Sequence, residues 1–176
     1  VTIKFKTAIA ALFLCFGFAT SASAQELSGR YWQCVTFARE FSGIQLFGNA
    51  WSWWDQAAGR YDRGSSPKVG AVLVMRSTGG MPSGHVATVT NVIDSRTVNV
   101  THANWSVING HRGQIERDVT VVDVSDNNDW SAVRVWYAPI GKVGNRSYPA
   151  YGFVYADGAP QQAIQPRLQY ASLGTK

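Results

Sequence analysis

A chain of 176 residues, 45 % of them hydrophobic, is long enough for one domain with a sizeable core and too apolar to be disordered. Its formal charge is +5, and two of those charges, Lys4 and Lys6, fall in an N-terminal stretch expected to be removed. No run of Lys or Arg interleaves with aromatics, so no nucleic-acid partner is expected.

Residues 1–24 read as a secretory signal peptide. Lys4 and Lys6 form the charged start, Ala8 to Phe18 the short apolar run, and Ala22-Ser23-Ala24 the cleavage site. The run is short for a membrane span, and Leu12-Phe13-Leu14 before Cys15 lacks the small residues of a lipoprotein site. An uncleaved anchor is the competing reading. The main expectation is export to the periplasm or beyond, with no stable membrane anchor after cleavage.

Cleavage after Ala24 leaves Cys34 without a partner in the chain. Small exported domains usually hold cysteines in pairs, so an unpaired one points to a reactive thiol or an intermolecular link. Cys34, Phe37, Ala38 and Phe41 recur at helical spacing, with Gly29 upstream as a breaker. Cys34 therefore falls at the start of a helix. Free N–H groups and the positive dipole end gather there, and both favour a thiolate.

A second short helix is expected over Ala50–Ala58, capped by Asn49, with Trp51, Trp54 and Ala58 on one face. A polar loop over 60–68 leads into a buried strand, Val69–Met75. His85–Val92 and Thr97–Trp105 form a hairpin turning about Asp94-Ser95-Arg96. Strands over 118–124 and 132–137 follow, and 148–155 is a candidate extra strand. Residues 159–176 read as a loose tail. Helices first and antiparallel strands after make the class α+β, with the helices packed on a sheet of about five to six strands. The expected domain runs over 25–140, followed by a partly disordered extension over 141–176.

A thiol nucleophile needs a base, and the base needs an orienter. His85 opens a strand directly after Gly84, a good place for a rigid imidazole. A hairpin centred on Asp94-Ser95 puts Asn104 opposite His85, where a carboxamide fixes the ring tautomer. His102 lies two residues earlier on the same strand face and is the second candidate for that role. Trp105 is placed to cover the pair. His111 sits in a Gly-containing loop and reads as solvated. No HExxH, paired CxxC or His-x-His occurs, so no metal and no cofactor are expected.

Four motifs occur in order: Tyr31-x-Gln33-Cys34, Pro67-x-x-Gly70-Ala71-Val72, Gly84-His85-Val86-Ala87-x-Val89 and Asn104-Trp105. Together, over about residues 30–137, they resemble the CHAP domain, a family of cysteine, histidine-dependent amidohydrolases and peptidases with a papain-like fold. The resemblance implies Cys34 as nucleophile, His85 as base and the Asn104 region as third member. It implies Gln33 and the Cys34 N–H as oxyanion donors. From the residues themselves, Tyr31, Trp32 and Trp105 are expected to line the cleft. The resemblance implies peptidoglycan as substrate, cut at the muramoyl–alanine amide or within the stem peptide. A separate envelope partner for targeting is left open. Two positions depart from the family pattern: His102 and Ala71 stand where acidic residues are common. A wall-binding module without turnover and an amidase on a non-wall peptide conjugate are therefore the alternatives.

Overall fold

A computed structural model describes residues 30–156. The expected signal peptide and the tail over 159–176 lie outside these residues. Helix α1 spans Cys34–Ser42, and a 3-10 turn at Ala50–Ser52 runs into the short helix α2, Trp53–Gln56. Eight strands follow: β1 Arg63–Gly64, β2 Val72–Met75, β3 His85–Val92, β4 Thr97–Ala103, β5 Ile115–Asp123, β6 Ala132–Tyr137, β7 Lys142–Val143 and β8 Tyr148–Val154.

Each neighbouring pair is antiparallel, in the order β1-β8-β2-β3-β4-β5-β6-β7, and β8 also pairs with β6. That last pairing closes six strands, β8-β2-β3-β4-β5-β6, into a barrel. The expected sheet of about five to six strands is therefore closed on itself, with two short strands added at its edges. The molecule is mainly sheet with few helices. Closure depends on residues beyond 140: Val72 and Leu73 pair with Val154 and Phe153 on one side, and Val133 pairs with Tyr148 on the other.

The barrel interior is lined by Leu73, Met75, Ala87, Val89, Val98, Val100, Val133, Val135 and Phe153. Alternate residues of the same strands point outward. Val72, Val74, Val86 and Val154 pack against Ala38, Ile44, Leu46, Ala50, Trp53 and Ala57 from the helical side. β2 is buried on both faces, which explains its unbroken run Val72-Leu73-Val74-Met75. Its strand begins later than expected because Gly70, at φ +87°, sits in a turn.

The 3-10 turn, α2 and the residue after it bury Ala50, Trp53 and Ala57, whereas Trp51 is 38 % exposed and Trp54 is half-buried. The expected face of Trp51, Trp54 and Ala58 is thus one residue out of phase. Both sets repeat at i, i+3 and i+7, and both are apolar, so periodicity alone does not choose between them. Asn49 makes no side-chain cap.

α1 lies across β3 and β4. Phe37 and Phe41 stack at 5.2 Å, and Trp32 meets Phe37 edge-on at 5.7 Å. With Ala103 at the end of β4 they form a separate apolar cluster. Fully buried side chains of this size are worth about 1.5–3 kcal/mol each. This cluster fixes the start of α1 over the barrel mouth. Among the described residues, no helix is long and apolar enough to cross a membrane.

Candidate active site

Cys34 is the first residue of α1, and Gln33 before it is extended (φ −82°, ψ 146°) with no side-chain cap. The helix's first N–H groups are left for other partners. The backbone N–H groups of Val86, Val35 and Cys34 itself act to lower the thiol pKa. Val86 follows His85, and Cys34 and His85 line the same cleft. Burial nevertheless dominates, and the thiol pKa is raised above its ordinary value, with those N–H groups only partly offsetting it. The expectation of a lowered thiol pKa at a helix start is therefore reversed: desolvation outweighs the helix terminus.

His85 opens β3 opposite Met75 and is 3 % exposed. Gly84, at φ +67°, makes the turn into it. A side chain there would come within 2.7 Å of the Met75 carbonyl and 2.8 Å of the Trp51 nitrogen, so only glycine brings the chain in this closely.

The hairpin pairs Thr88 with Thr101 and Val89 with Val100, the register expected from a turn centred at Asp94-Ser95. Extended to the barrel mouth, this register sets His85 opposite Asn104. However, β4 ends at Ala103, and Asn104 turns to φ +65°, which carries its side chain away. Asn104 Nδ2 donates to Gln33 Oε1 at 3.0 Å, and the Tyr31 hydroxyl donates to Asn104 Oδ1 at 3.1 Å. The residue that meets the imidazole is His102, diagonal to it across the hairpin. His85 Nε2 and His102 Nδ1 are 2.9 Å apart, with ring planes at 87°. The open choice of orienter thus goes geometrically to His102. The expected contact between Asn104 and His85 does not form, and Asn104 braces Gln33 instead.

Trp105 covers this pair. It lies 4.8 Å from the His85 ring and 5.8 Å from the His102 ring, and its Nε1 donates to the Trp136 carbonyl at 3.0 Å. Trp32, expected at the cleft, is instead buried in the α1 cluster at 1 % exposure. Tyr31 is 60 % exposed and serves as the brace on Asn104, outside the cleft lining. His111 is exposed, and Ala71 packs in the barrel core.

Among the described residues, no carboxylate reaches the two imidazoles. Glu116, buried opposite His102 on β5, commits both oxygens to Ser106, one to its N–H (2.7 Å) and one to its hydroxyl (2.6 Å). Sequence reading missed this residue. Its one signal was an acid in an otherwise alternating strand. His102 is neutral because burial holds its pKa down at about 3. Burial also holds His85 well below its ordinary value, helped by His102 and by the positive charge of Arg112. His102 Nε2 is buried without a partner. Burial thus favours the neutral form of the thiol and of both imidazoles.

This has a consequence for stability. Above pH 6.5, both histidines are neutral whether the chain is folded or not. As pH falls below 6.5, the unfolded chain takes up protons that the folded chain refuses. Stability is then lost at up to about 1.4 kcal/mol per pH unit per histidine. Urea midpoints measured from pH 7 to pH 4 should fall steadily, and His102→Asn should shrink the decline. An equal decline in that variant would show that other groups cause it.

Gln33, Cys34, His85, Asn104 and Trp105 line one cleft of about 570 Å³. Its far wall is the 80–84 loop and residues 135–148. Residues 25–104 match the family model of the CHAP domain, identifying this stretch as the domain that the four motifs resemble. CHAP domains are in general hydrolases of the amidase or peptidase type, and the family implies a peptidoglycan substrate. A comparison with curated proteins returns no match. The matched stretch ends at Asn104, so β5 to β8 and the cleft wall formed by residues 135–148 lie beyond it.

Proposed function

We propose that this chain is an exported cysteine amidohydrolase or peptidase that cuts peptidoglycan amides through a thioester. What supports this reading is that Cys34, at the start of α1, and His85, whose Nε2 lies 2.9 Å from His102 Nδ1, line one cleft. His85 Nε2–H donates to His102 Nδ1, which leaves the His85 Nδ1 lone pair as the base. Proton transfer from Cys34 to His85 accompanies attack of sulfur on the amide carbonyl. The Cys34 N–H and Gln33 Nε2 are the oxyanion donors. Asn104 occupies the Gln33 oxygen and so turns its NH₂ outward as a donor. Such a donor is worth about 2.7–4 kcal/mol in the transition state. His85 then protonates the leaving amine. Water, deprotonated by the same imidazole, releases the acyl group as a carboxylate.

The test is release of soluble fragments from purified sacculi. The wild-type protein should release fragments ending in a new amine or a new muramoyl carboxylate. Cys34→Ala should release none while unfolding at a similar temperature, since only a half-buried sulfur is lost. Iodoacetamide should stop release and a chelator should not. Sacculus binding without release would favour the wall-binding module. Turnover of small peptide conjugates alone would favour the non-wall amidase.

A further inference from the structure

The cleft has an uneven charge. Among the described residues, no Asp, Glu or Lys lines it, but two arginines do, Arg112 and Arg146. Both lie beyond the matched stretch, on segments that differ in origin: the loop before β5, and the connection between β7 and β8. Arg112 Nη1 donates to the carbonyls of Trp105 and Asn104, so its position is fixed by backbone beside the thiol and imidazole. Arg146 lies over the Tyr148 ring at 5.3 Å, and Tyr148 meets the Trp105 ring at 5.0 Å. The Arg146 guanidinium rests on Gly80, where a side chain would come within 2.8 Å of Nη1. Gly80 thus makes room for it at the rim. Among the described residues, the one ion pair is Arg96–Asp123, so neither cleft arginine has a carboxylate partner. The same cleft is also lined by the apolar side chains of Met81, Val135 and Ile140.

We propose that Arg146 and Arg112 form a carboxylate subsite, so that the cleft selects peptide amides carrying a free carboxylate near the scissile bond. A planar guanidinium held on an aromatic ring presents paired N–H donors that match a carboxylate. A carboxamide of the same shape offers one acceptor oxygen and no charge, and meets two cations unfavourably. The proposal rests on the amidase reading for its scissile bond but not for its binding preference.

The probe is a soluble muropeptide with its carboxylates free, paired with the same muropeptide converted to carboxamides. Binding is measured by calorimetry to Cys34→Ala protein, which holds substrate without turning it over. The carboxylate form should bind at least about tenfold tighter, and 0.5 M salt should narrow the gap. Adding Arg146→Ala should bring the two forms close to equal, and Arg146→Lys should restore part of the difference. Equal binding of both forms to the parent protein, binding of neither, or an undiminished preference in Arg146→Ala would overturn the subsite. A preserved preference with no cleavage by the Cys34 protein would overturn the amidase reading and leave the subsite standing.

Discussion

His102→Phe should lower kcat by about 10²–10⁴, the range set by loss of a positioned base and its correct tautomer, with KM little changed. His85 is useful as a base only if its proton sits on Nε2. The acceptor that keeps it there is His102 Nδ1, at 2.9 Å. Phenylalanine keeps an aromatic ring against Trp105 but removes that acceptor, so His85 is free to adopt the wrong tautomer. His102→Asn is the control. An asparagine oxygen can take roughly the place of Nδ1, and activity should stay within about tenfold of wild type. Equal losses in both variants would mean that His102 only fills space. Asn104→Gly acts elsewhere. Glycine accepts the φ of +65°, and what is lost is the carboxamide that braces Gln33 and accepts from the Tyr31 hydroxyl. Turnover should fall by no more than the 10²–10³ of an oxyanion donor, with the pH dependence unmoved. The pH profile therefore separates the two residues: one acts on the base, the other on the donor.

Much of this arrangement is local and so was readable. Cys34, Phe37, Ala38 and Phe41 give α1 its start and its face. Ile93, Asp94 and Arg96 give the hairpin its turn, where the Arg96 N–H donates to Asp94 Oδ1 at 2.8 Å, and with it the β3–β4 register. What failed was decided by distant contacts. The swing of Asn104 depends on Gln33 and Tyr31, more than seventy residues away. Barrel closure depends on β8 reaching both β2 and β6. Trp32 left the cleft because Phe37 and Ala103 offered a dry surface. Arg112 and Arg146 carry no periodicity in their loops. The one clue to them was that neither sat in a basic run.

Alkylation of Cys34 by iodoacetamide should be slow at pH 7 and should keep rising as the pH is taken above 9. Thiolate is the reacting form, so the shape of the profile reads the thiol pKa, while its height also reads access. Burial raises that pKa, and the N–H groups of Val86, Val35 and Cys34 offset only part of the rise. In the imidazole the same burial works the other way and disfavours the proton. Both shifts oppose a resting thiolate–imidazolium pair. A carboxylate as third member would counter this by attracting charge to His85, but His102 is neutral and Glu116 is bound to Ser106. On the proposed mechanism, the thiol would ionise as substrate arrives and the oxyanion donors take up the negative charge. His102→Glu tests the argument by placing an acid beside the imidazole. His85 should then hold its proton to higher pH, the thiolate should be populated near pH 7, and the alkylation profile should move to lower pH by at least one unit, about 1.4 kcal/mol. Rapid alkylation of the wild-type protein that stays flat from pH 5 to pH 8 would show an ion pair already formed, and with it a site whose charge balance is the opposite of the one drawn from these burials.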